Sequence, residues 1–395
     1  MLSVISELAH HVEEAFATRN KLFEAFFARE AQALAAACRE MSERFSKGGR
    51  LLVLGKGPYA TDAQHVSVEF VHPVIVGKRA LPALDLSLLP GQWLRTMLQP
   101  DDMVMGFGPP ERDPDIDEIL SEAAAQGAMT FALPGKQGTY VLETPAADPF
   151  VHQELIEILY HTLWETVHVF FEHRELGHDV GDASFLYPFL GQEKQETHGV
   201  VDQVAESIRT KVREDAKLRE QVANERAECI ANAALEVGER VRRGGKLILF
   251  GNGGSATDAN DWAIDCIAPP NGYRAIPAIS LALEPANITA LANDVGVEVI
   301  FLRQLIAQAR PQDVAIGIST SGGSKNVILA LEEARKRGLL TVGLLGYDGG
   351  EIVGRNLADH ALVVGSEYIP RIQEVQASIY HTVRELLERT SHAEF

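Results

Sequence analysis

Apolar and polar positions follow the same order in the two halves of this chain. Each half opens with a long amphipathic stretch of helical period, Ser3–Ser46 and then Val200–Arg243, and each stretch ends at a Gly-Gly pair, a common helix stop. A short apolar run follows, LLVLG at 51–55 and LILFG at 247–251. Such unbroken runs are typical of strands buried on both faces of a parallel sheet. Each half is therefore predicted to begin with a long helix and a buried strand.

Further apolar runs continue this order in both halves, with helical segments between them. The strand-like runs and helical segments are Ala80–Ser87, Met103–Gly108, Ile116–Gly127 and Met129–Gly135 in the first half, and Ala275–Ala282, Val314–Thr320, Asn326–Gly338 and Leu340–Gly346 in the second. Strands that alternate with helices form parallel sheets covered by helices on both faces. The predicted fold class is α/β, with one doubly wound parallel-sheet domain in each half.

The two halves are also repeats of one another in sequence. GRLLVLGKGPYATDAQHVSVE (Gly49–Glu69) returns 196 positions later as GKLILFGNGGSATDANDWAID (Gly245–Asp265), and HQELIEILYHT (His152–Thr162) returns as IQEVQASIYHT (Ile372–Thr382). A repeat of this length indicates domain duplication and not a short-repeat array. We predict an N-terminal domain at 1–174, a linker at 175–199 and a C-terminal domain at 200–395.

Composition excludes several classes of protein. The 395 residues are 46% hydrophobic and 23% charged, as in globular proteins, and the net charge of −19 argues against nucleic acid or an anionic membrane as a general partner. Three cysteines cannot form a disulfide framework, and the N-terminal stretch carries acids and histidines that a signal peptide would not have. With no run as long as a membrane span, the expected location is the cytoplasm.

Two loops of the second half have the composition of an anion site. Gly251–Ser255 (GNGGS) and Ser319–Ser324 (STSGGS) each follow a predicted strand and precede a predicted helix. Glycines let backbone N–H groups approach an anion, and a helix N-terminus adds the positive end of its dipole. Neither loop is a dinucleotide-binding GxGxxG or a Walker lysine loop. The pair predicts a phosphate site at the carboxyl ends of parallel strands.

The second half resembles the sugar isomerase (SIS) domain family, and within it the phosphoheptose isomerases. The resemblance is carried by GNGGSATDA, LANDVG (Leu291–Gly296), GISTSGGSKNV and GLLGYDGG (Gly343–Gly350), in this order. It implies isomerisation of sedoheptulose 7-phosphate to the aldose heptose 7-phosphate. The implied phosphate- and hydroxyl-binding residues are Asn252, Gly253, Gly254, Ser255, Asn293, Asp294, Ser319, Thr320, Ser321 and Ser324.

The resemblance also implies a metal and acid–base set, which the two halves keep to different degrees. The family has a His and a Glu four residues apart on the helix after the first loop, and a Gln and a His eight apart on the last helix. The first half matches all four, with His65, Glu69, Gln153 and His161. The resemblance implies that these four ligate Zn, with Glu69 as base and His161 as acid. The second half has Asp261, Asp265, Gln373 and His381, which are an alternative metal set or, for the two aspartates, an exposed acidic helix edge.

The first half, in turn, has lost the residues suited to phosphate. GNGGS is replaced by GKGPY (Gly55–Tyr59), in which Pro58 lacks an N–H donor and Tyr59 replaces a small hydroxyl with a ring. The hydroxyl-rich loop is replaced by FGPPE (Phe107–Glu111), and the stretch corresponding to LANDVG is missing, since the first half is about 16 residues shorter there. Each half therefore retains what the other lacks.

These complementary losses suggest one composite active site. The hypothesis is an aldose–ketose isomerase whose second half holds the sugar phosphate while the first supplies metal and proton-transfer groups. Because the resemblance implies tetramers with shared sites, the expected assembly is a homodimer that forms a pseudo-tetramer of SIS domains. Two alternatives stay open: a non-catalytic SIS regulator that binds a sugar phosphate or a partner protein, and an isomerase that works within each half independently.

Overall fold

The computed structural model describes residues 2–74, 78–135, 138–175 and 197–391. The chain divides into two compact units. We call Asn20–Ala216 the N-terminal unit, and Met1–Arg19 together with Lys217–Phe395 the C-terminal unit. Within the described ranges, no helix carries an apolar stretch long enough to cross a membrane.

The elements of the first repeat run from a long helix to a second long helix around a small sheet. They are α1 (Leu2–Ser46), β1 (Leu51–Gly55), α2 (Ala60–Val71), β2 (Ala83–Asp85), α3 (Pro90–Met97), β3 (Met103–Phe107), α4 (Pro114–Ala125), β4 (Met129–Leu133), β5 (Tyr140–Val141) and α5 (Pro149–Glu175). The core strands β1, β3 and β4 are buried along their whole length, as their unbroken apolar runs predict.

The second repeat follows the same plan with a longer connection before its third strand. Its elements are α6 (Thr197–Arg242), β6 (Leu247–Phe250), α7 (Gly254–Ile267), β7 (Ala278–Ser280), α8 (Pro285–Asp294), α9 (Ile300–Gln308), β8 (Val314–Ser319), α10 (Lys325–Lys336), β9 (Leu340–Gly346), α11 (Gly350–Gly354), β10 (His360–Val364) and α12 (Ile369–Ser391). Two helices, α8 and α9, lie between β7 and β8, where the first repeat has α3 alone between β2 and β3.

Both sheets have the strand order of a doubly wound fold. In the described residues they are parallel and five-stranded, ordered β2-β1-β3-β4-β5 and β7-β6-β8-β9-β10. The second strand along the chain lies on one side of the first, and the third lies on its other side. Ligands of such sheets bind where the order reverses, outside the carboxyl ends of the two strands. That position falls between β1 and β3 in one unit and between β6 and β8 in the other.

The two units exchange the first ends of their long helices. Residues 2–19 of α1 belong to the C-terminal unit, where Val12 and Phe16 join the core that contains Val375. Residues 197–216 of α6 belong to the N-terminal unit, where Val204 and Ile208 join the core around β1 and α5. The predicted boundaries 1–174 and 200–395 follow the sequence repeats, whereas the compact units follow this exchange.

Buried ion pairs accompany each exchanged segment. Lys211 of α6 pairs with Glu165 of α5 in the N-terminal unit, and both side chains are buried. Arg19 of α1 pairs with Glu385 of α12 in the C-terminal unit, with 2.8 Å between Nη2 and Oε1. Glu165 and Glu385 are equivalent residues, each four positions after the repeated histidine. The same carboxylate therefore binds a different cation in each repeat.

Most predicted elements are confirmed, with differences at the sheet edges. The predicted strands at 80–87 and 275–282 shorten to β2 and β7, and the edge strands β5 and β10 were not predicted. The predicted linker 175–199 falls largely at 176–196, outside the described residues, and stays a prediction. Both long helices match their predicted ranges to within three residues.

Candidate functional site

The first loop of the C-terminal unit joins β6 to α7 at the point where the strand order reverses. Gly253 caps α7 with φ +58°, a conformation that favours glycine, and no side chain caps this helix start. A Cβ on Gly251 would lie 2.4 Å from the carbonyl oxygen of Ser255, so this turn admits only glycine. The loop therefore presents backbone and the Ser255 hydroxyl at a helix N-terminus, as an anion site requires.

The second loop joins β8 to α10 beside the first. The Oγ atoms of Ser319 and Ser324 lie 3.0 Å apart, and the amide of Gly322 donates to Ser319 Oγ at 3.1 Å. Gly322 has φ +62°, and its missing Cβ leaves room for the carbonyl oxygen of Gly349. The side chain of Ser324, the N-cap of α10, makes no capping bond to the helix. Hydroxyls and a second helix start therefore converge on the place predicted for phosphate.

The structure separates the predicted substrate residues into two groups. Asn252, Gly253, Gly254, Ser255, Ser319, Thr320, Ser321 and Ser324 all lie in or next to the two loops. Asn293 and Asp294 lie on the exposed end of α8, where the Asn293 amide donates to the Asp294 carboxylate at 2.8 Å. Among the described residues, neither side chain is hydrogen-bonded to the two loops.

The matching loops of the N-terminal unit are filled by the chain's own groups. Tyr59 is buried and contacts the ring of His152, whose Nε2 lies 2.9 Å from the Gly108 carbonyl oxygen. The Asp113 carboxylate caps α4 by accepting from the amides of Asp115 and Ile116 at 2.9 and 3.3 Å. A protein carboxylate thus occupies the helix start that a phosphate needs.

Lys56 supplies the countercharge to this internal anion. Its Nζ lies 2.8 Å from Asp113 and 2.7 Å from Asp115. These carboxylates, Asp113 first, raise the pKa of Lys56 to about 12. Partial burial acts to raise the pKa of Asp113, but the bonds from Lys56 and the two helix amides lower it below its ordinary value. In this half, the Asp113 carboxylate and its partner Lys56 therefore stand where the other half is predicted to bind phosphate.

Replacing Asp113 should reveal this cap as a pH-dependent contribution. We expect Asp113→Ala to lower the free energy of unfolding by about 1 kcal/mol at pH 7. Because the folded-state pKa of Asp113 is lowered, its contribution is present above the unfolded pKa near 3.9 and is lost as pH falls through the folded pKa. Urea unfolding of both proteins from pH 7 to pH 3 measures this. A difference that persists unchanged at pH 3 would contradict the assignment.

The predicted acid–base set of the first half comes together in the N-terminal unit. Helix α2 carries His65 and Glu69, with Nε2 and Oε1 3.8 Å apart, and α5 carries His161, whose ring centre lies 5.3 Å from that of His65. One donor atom from each of the three lies within 4.8 Å of the others, and all three are buried. Gln153 lies two turns earlier on α5 and is also buried.

This donor set fits the Zn ion that the resemblance implies. Two imidazoles and a carboxylate are ordinary zinc ligands, and their donor atoms, within 4.8 Å of one another, are near enough to converge on one ion. Glu69 and His65 are each 2% exposed, so this pair does not lie on a solvated helix face. The three residues therefore form a candidate metal centre or a proton-transfer site.

The alternative set of the C-terminal unit is a hydrogen-bonded cluster. His381 Nε2 lies 3.2 Å from Asp265 Oδ2 and 3.7 Å from Asp261 Oδ2, and the Tyr380 hydroxyl donates to Asp261 at 2.7 Å. Donor atoms of the two aspartates and the histidine also lie within 4.8 Å of one another. Gln373 is buried on the same helix, α12. Carboxylate-rich sets suit oxygen-preferring metals better than zinc.

The interpretation of Asp261 and Asp265 as an exposed acidic edge is wrong. Their exposed fractions are 5% and 1%. Burial raises the pKa of Asp265, although its bond to His381 acts in the opposite direction. An amphipathic pattern assigns carboxylates to the solvent face because burial of a charge is costly. The partners that compensate this cost, His381 and Tyr380, are 116 or more residues away in sequence and so are not visible in the local pattern.

Three residues of these sites were missed by the sequence patterns. Tyr380 touches Asp261, and its repeat partner Tyr160 lies beside His65 with ring centres 4.9 Å apart. The signal was the Tyr-His-Thr shared by both copies of the last helix. Asn326 is hydrogen-bonded to Asn252, although it lies after the second loop on the first turn of α10.

Known proteins share this fold and part of this sequence. The SIS domain model matches residues 212–346. The phosphoheptose isomerase of Pelobacter propionicus is 44% identical over 189 residues, which cover 48% of this chain and 99% of that protein. That of Nitratiruptor sp. is 42% identical over 186 residues, covering 47% of this chain and 98% of that protein.

A likeness to solved structures extends over the full length of the chain. The C-terminal domain of glucosamine-fructose-6-phosphate aminotransferase from Francisella tularensis covers 100% of this chain and 96% of its own, with a TM-score of 0.57. At 9% identity this likeness shows the fold alone. It extends the SIS-type fold to both repeats, whereas the sequence relatives cover about half of the chain. The chain therefore belongs to the SIS domain family, in which the phosphoheptose isomerases are its relatives.

Proposed function

We propose that this chain is an aldose–ketose isomerase that acts on a sugar phosphate, with sedoheptulose 7-phosphate as substrate. The observation that carries the proposal is the division between units. The C-terminal unit has two open helix starts lined by serines, and the N-terminal unit has the buried His65, Glu69 and His161. Its own loops are closed to phosphate by Asp113. In a composite site, the second repeat would bind the phosphate and the first would supply the proton-transfer groups.

In this proposal the phosphate is held at the starts of α7 and α10. Backbone amides and the hydroxyls of Ser255, Ser319 and Ser324 provide the hydrogen-bond donors at these two helix starts. Fixing the phosphate restricts the orientation of the sugar, which is what a positioned proton transfer at its C1–C2 end requires.

Proton transfer between C1 and C2 is assigned to two side chains. Glu69 takes the proton from C1 of the ketose while His161 gives a proton to the C2 carbonyl oxygen, which forms the enediol. Glu69 then returns its proton to C2, and His161 takes the proton of the C1 hydroxyl, which leaves the aldehyde. Burial of both groups excludes water, so the proton is not lost between the two steps.

The metal belongs to the same proposal. His65, Glu69, Gln153 and His161 would hold a Zn ion, whose chemical contribution is to polarise the carbonyl and fix the sugar oxygens. We expect purified protein to contain zinc, and His65→Ala to lose it while Asp261→Asn retains it. Metal analysis of the three proteins measures this. The opposite pattern would assign the metal to Asp261, Asp265, Gln373 and His381 and favour independent sites.

The experiment that tests the proposed function is an isomerisation assay of the full chain. Purified protein is incubated with sedoheptulose 7-phosphate, with and without a chelator, and the aldose product is measured. We expect conversion without the chelator and loss of conversion with it. Binding of the sugar phosphate without any conversion would reject the isomerase and favour the non-catalytic regulator, a reading supported by the missing Glu beside the intact loops.

The assembly proposed for this function is a homodimer. Two chains bring four SIS-type domains together, which the family resemblance implies for a complete set of shared sites. Light scattering of the purified protein is expected to give about twice the chain mass of 43.1 kDa. A monomer that isomerises the substrate would require a site built within one chain.

A further inference from the structure

We infer that Asn326 is a positioning residue that locks the two anion loops of the C-terminal unit together through Asn252, and so sets the affinity for phosphate. The inference rests on the proposed function for its ligand. Asn326 is the second residue of α10, and Asn252 lies in the loop between β6 and α7. They are 74 positions apart in sequence and join the two loops that meet at the reversal of strand order.

The contact is a closed amide pair. Asn252 Nδ2 donates to Asn326 Oδ1 at 2.9 Å, and Asn326 Nδ2 donates back to Asn252 Oδ1 at 2.9 Å. The amide of Val327 donates to the same Asn326 Oδ1 at 3.0 Å. Because a backbone N–H needs an acceptor, this third bond fixes which end of the Asn326 amide faces the helix. The side chain is therefore held in one orientation before Asn252 reaches it.

Burial gives the two partners different roles. Asn326 is 8% exposed and is held in the first turn of α10, whereas Asn252 is exposed on its glycine-rich loop. Gly251 and Gly253 flank Asn252, and a glycine backbone loses more conformational freedom on ordering than other residues do. The buried amide of Asn326 is thus the fixed half of the latch, and Asn252 on its glycine-flanked loop is the half that it restrains. A pre-ordered loop binds phosphate more tightly because less entropy is lost on binding.

The N-terminal unit shows the same latch with different chemistry. Lys56 holds the repeat position of Asn252, and Asp115 holds that of Asn326, each as the second residue of its helix. Their side chains meet at 2.7 Å between Nζ and Oδ2. Both repeats therefore join the two loops at this junction, each through its own pair of side chains. The unit proposed to bind phosphate uses the uncharged pair, which places no carboxylate beside the anion.

Two measurements on the full chain distinguish the effect of the Asn252–Asn326 contact on phosphate binding from its effect on stability. Calorimetry gives the Kd for inorganic phosphate, and thermal unfolding gives Tm without ligand. For Asn326→Ala we expect phosphate binding about tenfold weaker and KM raised by a similar factor, with kcat nearly unchanged. We expect Tm to fall by about 2–4 °C. The matched control Asp115→Ala, in the unit without a phosphate loop, should leave the phosphate Kd within about twofold.

A charge swap tests the pairing itself. Asn326→Asp should lower Tm because its carboxylate faces the Asn252 oxygen, and adding Asn252→Lys should restore Tm by rebuilding the ion pair of the N-terminal unit. Failure of the double variant to recover Tm, or an unchanged Kd for Asn326→Ala, would overturn the latch. Absence of phosphate binding by the parent protein would instead reject the proposed ligand, while the Tm cycle still decides whether the latch exists.

Discussion

Glu69→Gln is expected to lower turnover of the sugar phosphate by about 10³-fold while its binding stays within about threefold of the parent protein. The amide has the shape of the carboxylate but cannot accept a proton from C1. Glu69 lies at 2% exposure beside His65, so water cannot replace it as the base. The phosphate loops lie in the other unit and are unchanged. Steady-state kinetics for turnover and calorimetry for binding measure the two effects separately.

The matched control is Asp265→Asn, at the same repeat position in the C-terminal unit. Burial raises the pKa of Asp265, and its Oδ2 is paired with His381 at 3.2 Å, so we assign it to a structural cluster. We expect its turnover to stay within about threefold of the parent, because Asn keeps the polar contact. Loss of turnover in Asp265→Asn with normal turnover in Glu69→Gln would move the chemistry to the second repeat and refute the composite site.

The second large effect concerns folding of the fragment cut at the repeat boundary. A protein containing residues 1–174 lacks Val204, Ile208 and Val212, which complete the core of the N-terminal unit. Burial of such a side chain is worth about 1.5–3 kcal/mol, so the loss of three approaches the whole stability of a small domain. The cut also removes Lys211 from the buried Glu165. We expect this fragment to show no cooperative thermal unfolding.

A fragment of residues 20–216 is the control for this prediction. It is the complete N-terminal unit, with the start of α6 included and residues 1–19 removed. We expect it to unfold cooperatively, and circular dichroism with calorimetry on both fragments measures the difference. Cooperative unfolding of 1–174 would show that the exchanged end of α6 is dispensable, and the sequence boundaries would then describe independent domains.

The apolar patterns predicted the elements but not their long-range partners. Runs such as LLVLG and LTVGLLG specify buried strands by themselves, because burial on both faces leaves no polar alternation. The amphipathic stripe of α1 shows that one face is covered without showing that residues 2–19 and 20–46 are covered by different units. Edge strand β5 has two residues, too few for a period.

For the candidate site, too, the sequence predicted the residues but not their long-range partners. Loop composition located the serines and glycines, and repeat alignment located His65, Glu69 and His161. Local sequence could not reveal that Asp113 fills the first unit's helix start, since its partner Lys56 is 57 positions away. The same holds for the Asn252–Asn326 pair, because contacts between loops depend on strand order and not on spacing along the chain.

The exchanged helix ends impose an order on assembly during synthesis. Residues 20–216 form a continuous segment, so the whole N-terminal unit is synthesised before any residue of α7 to α12. The C-terminal unit contains residues 1–19 and also α12. Its first segment therefore cannot pack in its own core until α12 has been synthesised. Domains fold as units, and N-terminal ones fold first during synthesis. Residues 20–46 of α1 are therefore expected to fold with the N-terminal unit, while residues 2–19 of the same helix stay without their core until the C-terminal unit is complete.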